Sequence, residues 1–120
     1  MSRAEVIAIG QALAKRVTAW FGDVDLWLTP TTPGPPPVIG AWSAMSGEDA
    51  FHQAVAVGAF TAVYNAGGQP AASVPAGLSA AGLPIGVQLA APVGADDRLL
   101  AVCRVLEQAM PWRDRRPPRR

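Results

Sequence analysis

The side chains from which a nucleophile and a base could be drawn are few: one histidine, one cysteine, one lysine and five serines in 120 residues. A serine hydrolase needs a hydroxyl, a base within hydrogen-bond reach of it, and a third group that orients the base. None of Ser2, Ser43, Ser46, Ser73 and Ser79 stands in G-x-S-x-G. His52 follows Phe51 at the start of a helical pattern, where a capping or packed imidazole is the ordinary reading. Cys103 falls on an apolar helix face and reads as a small hydrophobe. One cysteine and one histidine cannot build a structural zinc site. No glycine-rich loop meets a lysine, so there is no phosphate cradle of the usual kind. Lys15 lies beside Arg16 on the polar side of a helix and reads as solvated, while Asp96 and Asp97 fit the positive end of a helix. The residues by themselves assign no catalytic group, no metal and no cofactor.

The elements that would carry any site follow an order α-β-α-β-β-α. Val6, Ile9, Leu13, Val17 and Trp20 recur at three- and four-residue spacing and predict a helix over 2–21. Ser2 and Glu5 form a capping box at its start and Gly22 ends it. Val24 to Thr29 reads as a short strand. Pro30, Pro33 and Pro35 to Pro37 then enforce a stiff, extended loop. A second helix is expected over 50–64, with apolar residues all round and therefore buried on most sides. Gly67 and Gly68 close it. Strands over 71–76 and 84–90 form an antiparallel hairpin, in which Ile85, Val87 and Leu89 alternate with Gly86, Gln88 and Ala90. Pro75 places the first of these at an edge or ends it early. The last helix, about 95–109, shows one face of Leu99, Val102, Cys103 and Leu106, and Pro111 stops it.

Charge is unevenly spread. From Phe51 to Ala95 there is no Asp, Glu, Lys or Arg, although a domain of this size has most of its residues near water. Frequent glycine and proline exclude a membrane-spanning helix there, so the stretch must fold against protein. Arg113, Arg115, Arg116, Arg119 and Arg120 crowd the end, and residues 113–120 read as a basic, proline-broken, solvated tail on a segment of 1–112. Nothing else on the chain points to nucleic acid. A single cysteine fits a reducing cytosol.

Motifs in the uncharged middle carry a resemblance. Phe60-Thr61, Asn65, Gly68-Gln69-Pro70, Ser73-Val74-Pro75 and Gly82-Leu83-Pro84-Ile85-Gly86-Val87-Gln88 occur in one collinear run. Together with the upstream "DVDLWLTPTTP" and the closing "QAMPWRDRRPP", they resemble the C-terminal part of the amidase signature family. The resemblance implies an α/β fold, an incomplete segment of a large mixed sheet sandwiched by helices. Family enzymes hydrolyse amides with a Ser, a cis-Ser and a Lys carried in a glycine- and serine-rich stretch that this chain lacks. The unprotonated Lys draws a proton through the cis-Ser and activates the nucleophile. No catalytic residue is therefore carried over. Thr31, Thr32 and Asn65 are the substrate-pocket candidates that the resemblance implies, against the plain alternative that Thr31 and Asn65 only cap and brace backbone. No cofactor is implied. Gly58 stands where the branch that amidates tRNA-bound glutamate is expected to carry an acidic residue, which favours a general amidase branch.

Three readings result. The chain is the C-terminal part of an amidase, inactive alone, whose partner is the N-terminal amidase part or a second copy of itself. Or it is a non-enzymatic assembly module derived from one. Or it is a small independent hydrolase using Ser73 or His52. In the first, a small amide binds only in the complete assembly. An unfinished sheet also predicts an open apolar surface on the isolated chain.

Overall fold

The computed structural model describes residues 1–116. Its first element is set by the expected capping box. The backbone N–H of Ser2 donates to Glu5 Oε2 at 2.6 Å and that of Glu5 donates to Ser2 Oγ at 3.3 Å. Between them they satisfy two of the orphan donors of helix α1 (Arg3–Phe21). Gly22, at a positive φ of 39°, ends it. The remaining elements are β1 (Trp27–Pro30), α2 (Gly47–Val57), α3 (Ala62–Gly67), β2 (Ala71–Leu78), β3 (Pro84–Ala90) and α4 (Asp96–Ala109).

The three strands form one antiparallel sheet in the order β1-β3-β2. The hairpin of β2 and β3 is as expected. The pairing of β1 with β3 puts Trp27 opposite Ala90 and Thr29 opposite Gln88. Pro75 lies in an edge strand, and an irregularity between Pro75 and Gly77 accommodates the change of register. Alternation along the strands gives the sheet two faces. One carries Leu89, Val87, Ala72 and Val74 against α4, where Leu99, Val102, Cys103 and Leu106 meet them in the larger core. The other packs Trp27 and Ala90 against Val17, Phe21, Tyr64 and Val63 from α1 and α3.

The single helix expected over 50–64 is two helices. Gly58 interrupts it, and the Thr61 hydroxyl donates to the Gly58 carbonyl at 3.2 Å. A glycine in a helix interior costs about 1 kcal/mol relative to alanine. Here a side chain also competes for the backbone, so the chain turns. Nor is this segment buried on most sides. No residue of α2 is buried in the chain, and Phe51 and Val55 are 66% and 56% exposed. The N-terminal half of the α1 stripe is likewise open: Val6 and Ile9 face solvent, while Val17 and Phe21 reach the core.

The whole is a slab of 50 × 43 × 19 Å with a radius of gyration of 17.3 Å, against about 13.6 Å for a closed domain of this length. Its accessible surface is 9109 Å², against about 6,200 Å² for a folded monomer of 12.5 kDa. The difference, about 2,900 Å², exceeds one partner's share of an ordinary stable interface. Among the described residues, no helix is long and apolar enough to cross a membrane. Of the expected basic tail, Arg113, Arg115 and Arg116 are exposed, and residues 117–120 lie outside the described residues.

Candidate functional site

The face of the sheet that carries Trp27 changes character along its length. Next to the aromatic cluster comes a polar row. Gln88, 5% exposed, donates from Nε2 to Thr29 Oγ1 at 3.2 Å and to the Phe60 carbonyl at 2.9 Å. A buried amide with both of these partners ties the middle strand to β1 and to the turn between α2 and α3. Tyr64 packs edge-on against Trp27, with ring centroids 5.8 Å apart. Burial pushes its phenol above the usual range, opposed by a hydrogen bond with the Thr29 side chain.

One step further along, the hydroxyls of Thr31 and Ser73 meet at 2.6 Å. Beyond them the stiff loop after β1 folds over, and two clefts open on it. One, of about 510 Å³, lies between the proline loop and the β2–β3 connection, and is lined by Pro30, Thr32, Pro35, Ser79, Leu83 and Gly86 among others. The other, of about 490 Å³, lies between the same loop and α2, with Thr32, Pro36, Trp42, Gln53, Ala56 and Val57 in its wall. No residue lining either cleft is charged. Such surfaces can hold an uncharged group by shape, with a few hydroxyl and backbone groups to orient it.

Of the three expected site residues, only Thr32 lines these clefts. Thr32 lines both, and its hydroxyl donates to the Gly34 carbonyl at 3.0 Å, which braces the loop. Thr31 lines neither; it continues β1, with its N–H donating to the Gly86 carbonyl at 3.2 Å. Asn65 is exposed on α3 and lines neither. The pairing needed for an independent hydrolase is not formed. Ser73 is engaged with Thr31, and His52 lies exposed on α2 with Nε2 4.0 Å from Glu48 Oε1. Lys15 is exposed on α1. The Cys103 thiol, packed against the α4 core, is pushed up by burial, which disfavours the reactive thiolate. Among the described residues no group of three or more His, Cys, Asp or Glu side chains could hold a metal ion.

Two features of the site are not singled out by sequence reasoning. Gln88 is there only a letter of a motif, although its place on the face opposite Ile85, Val87 and Leu89 is visible in the alternation. Ser73, a candidate nucleophile by residue type, is instead half of a hydroxyl pair.

Comparison with known proteins places this arrangement. Residues 3–100 match the family model described as Amidase. The chain is 43% identical over 105 residues to a 6-aminohexanoate-cyclic-dimer hydrolase from Pseudomonas sp. (strain NK87), covering 82% of this chain and 21% of that enzyme. It is 36% identical over 114 residues to a glutamyl-tRNA(Gln) amidotransferase polypeptide of Rhodopirellula baltica, covering 95% of this chain and 22% of the relative. A solved structure of 6-aminohexanoate cyclic dimer hydrolase superposes with a TM-score of 0.77 at 36% identity, over 90% of this chain and 24% of that one. The chain thus spans about a fifth of the length of the curated relatives it matches. It belongs to the amidase family.

Proposed function

We propose that these residues are the C-terminal part of an enzyme that hydrolyses amide C–N bonds, and that they support the reaction without performing it. The observation that carries this reading is the asymmetry of coverage: most of this chain aligns with about a fifth of each relative. The open surface agrees with it. In this reading the sheet, the proline loop and the α2–α3 segment form part of the wall around a site whose nucleophile and base lie elsewhere. Thr31, Thr32 and Asn65 are its substrate-pocket residues, Thr32 lining both clefts, Thr31 next to it on the sheet and Asn65 on the adjoining helix. The uncharged lining matches a neutral amide, and Gly58, with no carboxylate to offer, fits a general amidase branch better than the tRNA-dependent one. The partner is the N-terminal amidase part or, failing that, a second copy. The lone Cys103, half-buried on an apolar face, fits a reducing cytoplasm.

The test is an assay of simple aliphatic and aryl amides with the chain alone and with a family polypeptide that carries the Lys and Ser-Ser stretch but lacks this ending. No turnover alone and turnover in the mixture is the expected result. Turnover by the chain alone that disappears in Ser73→Ala would overturn the reading.

A further inference from the structure

Neighbouring strands lie about 4.8 Å apart, so β1 and β2, with β3 between them, are separated by about 9.6 Å. Side chains of two such outer strands do not ordinarily touch, because the middle strand's side chains stand between them. Here they do touch. Thr31 continues β1, its backbone N–H donating to the Gly86 carbonyl at 3.2 Å. Ser73 lies on β2, opposite Gln88. Their hydroxyls meet at 2.6 Å above the middle strand. The residue beneath them is Gly86. A Cβ built there would stand 2.9 Å from Thr31 Oγ1, closer than real Cβ contacts come, and 3.0 Å from Ser73 Oγ, tighter than nearly all of them. The backbone of Gly86 has no need of glycine on conformational grounds, since its φ is not among the positive ones. What the position requires is the missing side chain.

We propose that the Thr31–Ser73 hydroxyl bridge, seated in the notch left by Gly86, is a clasp that joins the two outer strands and sets the position of the proline loop. Thr31 directly precedes Thr32, and Thr32, Pro33, Gly34, Pro35 and Pro36 line both clefts. Gly86 itself lines the cleft against the β2–β3 connection. The bridge therefore fixes where the loop leaves the sheet, and with it the width of that cleft. Prolines transmit this placement because their φ angles are locked and the loop has little slack. Thr31 and Ser73 act as positioning residues, through the loop. The inference needs no assumption about which reaction the assembled enzyme performs.

The test uses hydrogen exchange at the Thr31 amide in the full chain, whatever its state of association. Ser73 is 42 residues away on a strand that does not pair with β1, so an effect between them crosses β3 either through the hydroxyl bridge or through the ladders, and variants of one shape with and without the hydroxyl separate the two. Ser73→Thr and Ser73→Val have the same shape and differ by the hydroxyl. Ser73→Val is expected to speed exchange at Thr31 by roughly two- to ten-fold, the range for one lost hydrogen bond. Ser73→Thr is expected to keep the original rate, and amides in α4 such as that of Val102 to be unmoved by either. Gly86→Ala should reproduce the Ser73→Val effect, and adding Ser73→Val to Thr31→Val should change nothing further. Equal exchange at Thr31 in the Thr and Val variants of Ser73 overturns the proposal, as does a Gly86→Ala variant with the original rate. If Ser73→Val unfolds the chain while Ser73→Thr does not, the hydroxyl is still required and the proposal holds; if both unfold, it falls.

Discussion

Helices α2 and α4 both carry apolar residues for burial, and only one of them buries them. Helix α4 lays Leu99, Val102, Cys103 and Leu106 on the sheet, and Leu99 is left 4% exposed. Helix α2, with Phe51 and Val55 on its surface, buries nothing. The difference does not lie in capping, since it is α2 that has a serine cap, with Ser46 Oγ accepting from the Asp49 N–H at 3.1 Å, while α4 begins at Ala95 with no side-chain cap. It lies in what the chain supplies to cover each helix. A three-stranded sheet has room for one helix on one face and for the α1–α3 pair on part of the other. Within the uncharged middle, Tyr64, Val74, Leu89 and Ala90 belong to this chain's own core, and the apolar residues of α2 do not. In the proposed reading the latter are covered by the rest of a longer polypeptide, of which the chain spans about a fifth in the relatives it matches.

The largest effect that would sharpen this contrast is in the core beneath α4. Leu99→Ala is expected to destabilise the chain by about 2–5 kcal/mol, through lost burial and the cavity left behind. Phe51→Ala should change stability by less than about 0.5 kcal/mol, as an exposed substitution does. Denaturant midpoints of the two variants measure it, and equal losses would break the distinction between the helices. Next is the buried amide. Gln88→Leu leaves the Phe60 carbonyl and Thr29 without their donor and should cost about 1–3 kcal/mol. Asn65→Ala, at an exposed position, should cost almost nothing in the same measurement.

A smaller effect concerns pH. Both Tyr64 and Cys103 have their pKa raised by burial, so the folded chain holds their protons longer than the unfolded chain. The stability linked to them is fully present below the unfolded values of 9.0 and 10.0 and is lost as pH rises through the higher folded ones. Thermal midpoints should be flat in these groups up to about pH 9 and fall above it. Tyr64→Phe and Cys103→Ala should flatten that fall. The smallest effect is at the surface pair in which Arg98 Nη1 lies 2.6 Å from Asp25 Oδ1. Arg98→Ala should cost no more than about 1 kcal/mol, and less in high salt.

What could be read from the sequence was local. The Ser2–Glu5 box, the stop at Gly22, the α4 stripe and the β2–β3 hairpin each depend on residues a few positions apart, and each stands as expected. The break at Gly58 was hidden because a glycine within a helical run is tolerated until something competes for the backbone. Here the competitor is Thr61, three residues on. The exposure of α2 was masked for a different reason. All-round apolar residues report that a helix is made to be buried, and say nothing of which polypeptide buries it. At the site, the proline loop was legible because prolines restrict backbone directly, while the two threonines came only from the family resemblance. The Gln88 contacts and the Gly86 notch were not, because both join residues brought together only by the order of strands in the sheet.

The most direct measurement is sedimentation of the 120-residue chain at micromolar concentration, with binding of a hydrophobic dye followed on the same samples. The surface around α2, and the unpaired edges of β1 and β2, should make the chain self-associate or bind the dye. Phe51→Ser with Val55→Ser should reduce both. A compact monomer that unfolds cooperatively and binds no dye would mean that these residues close their own surface, and that no larger body is needed to cover them.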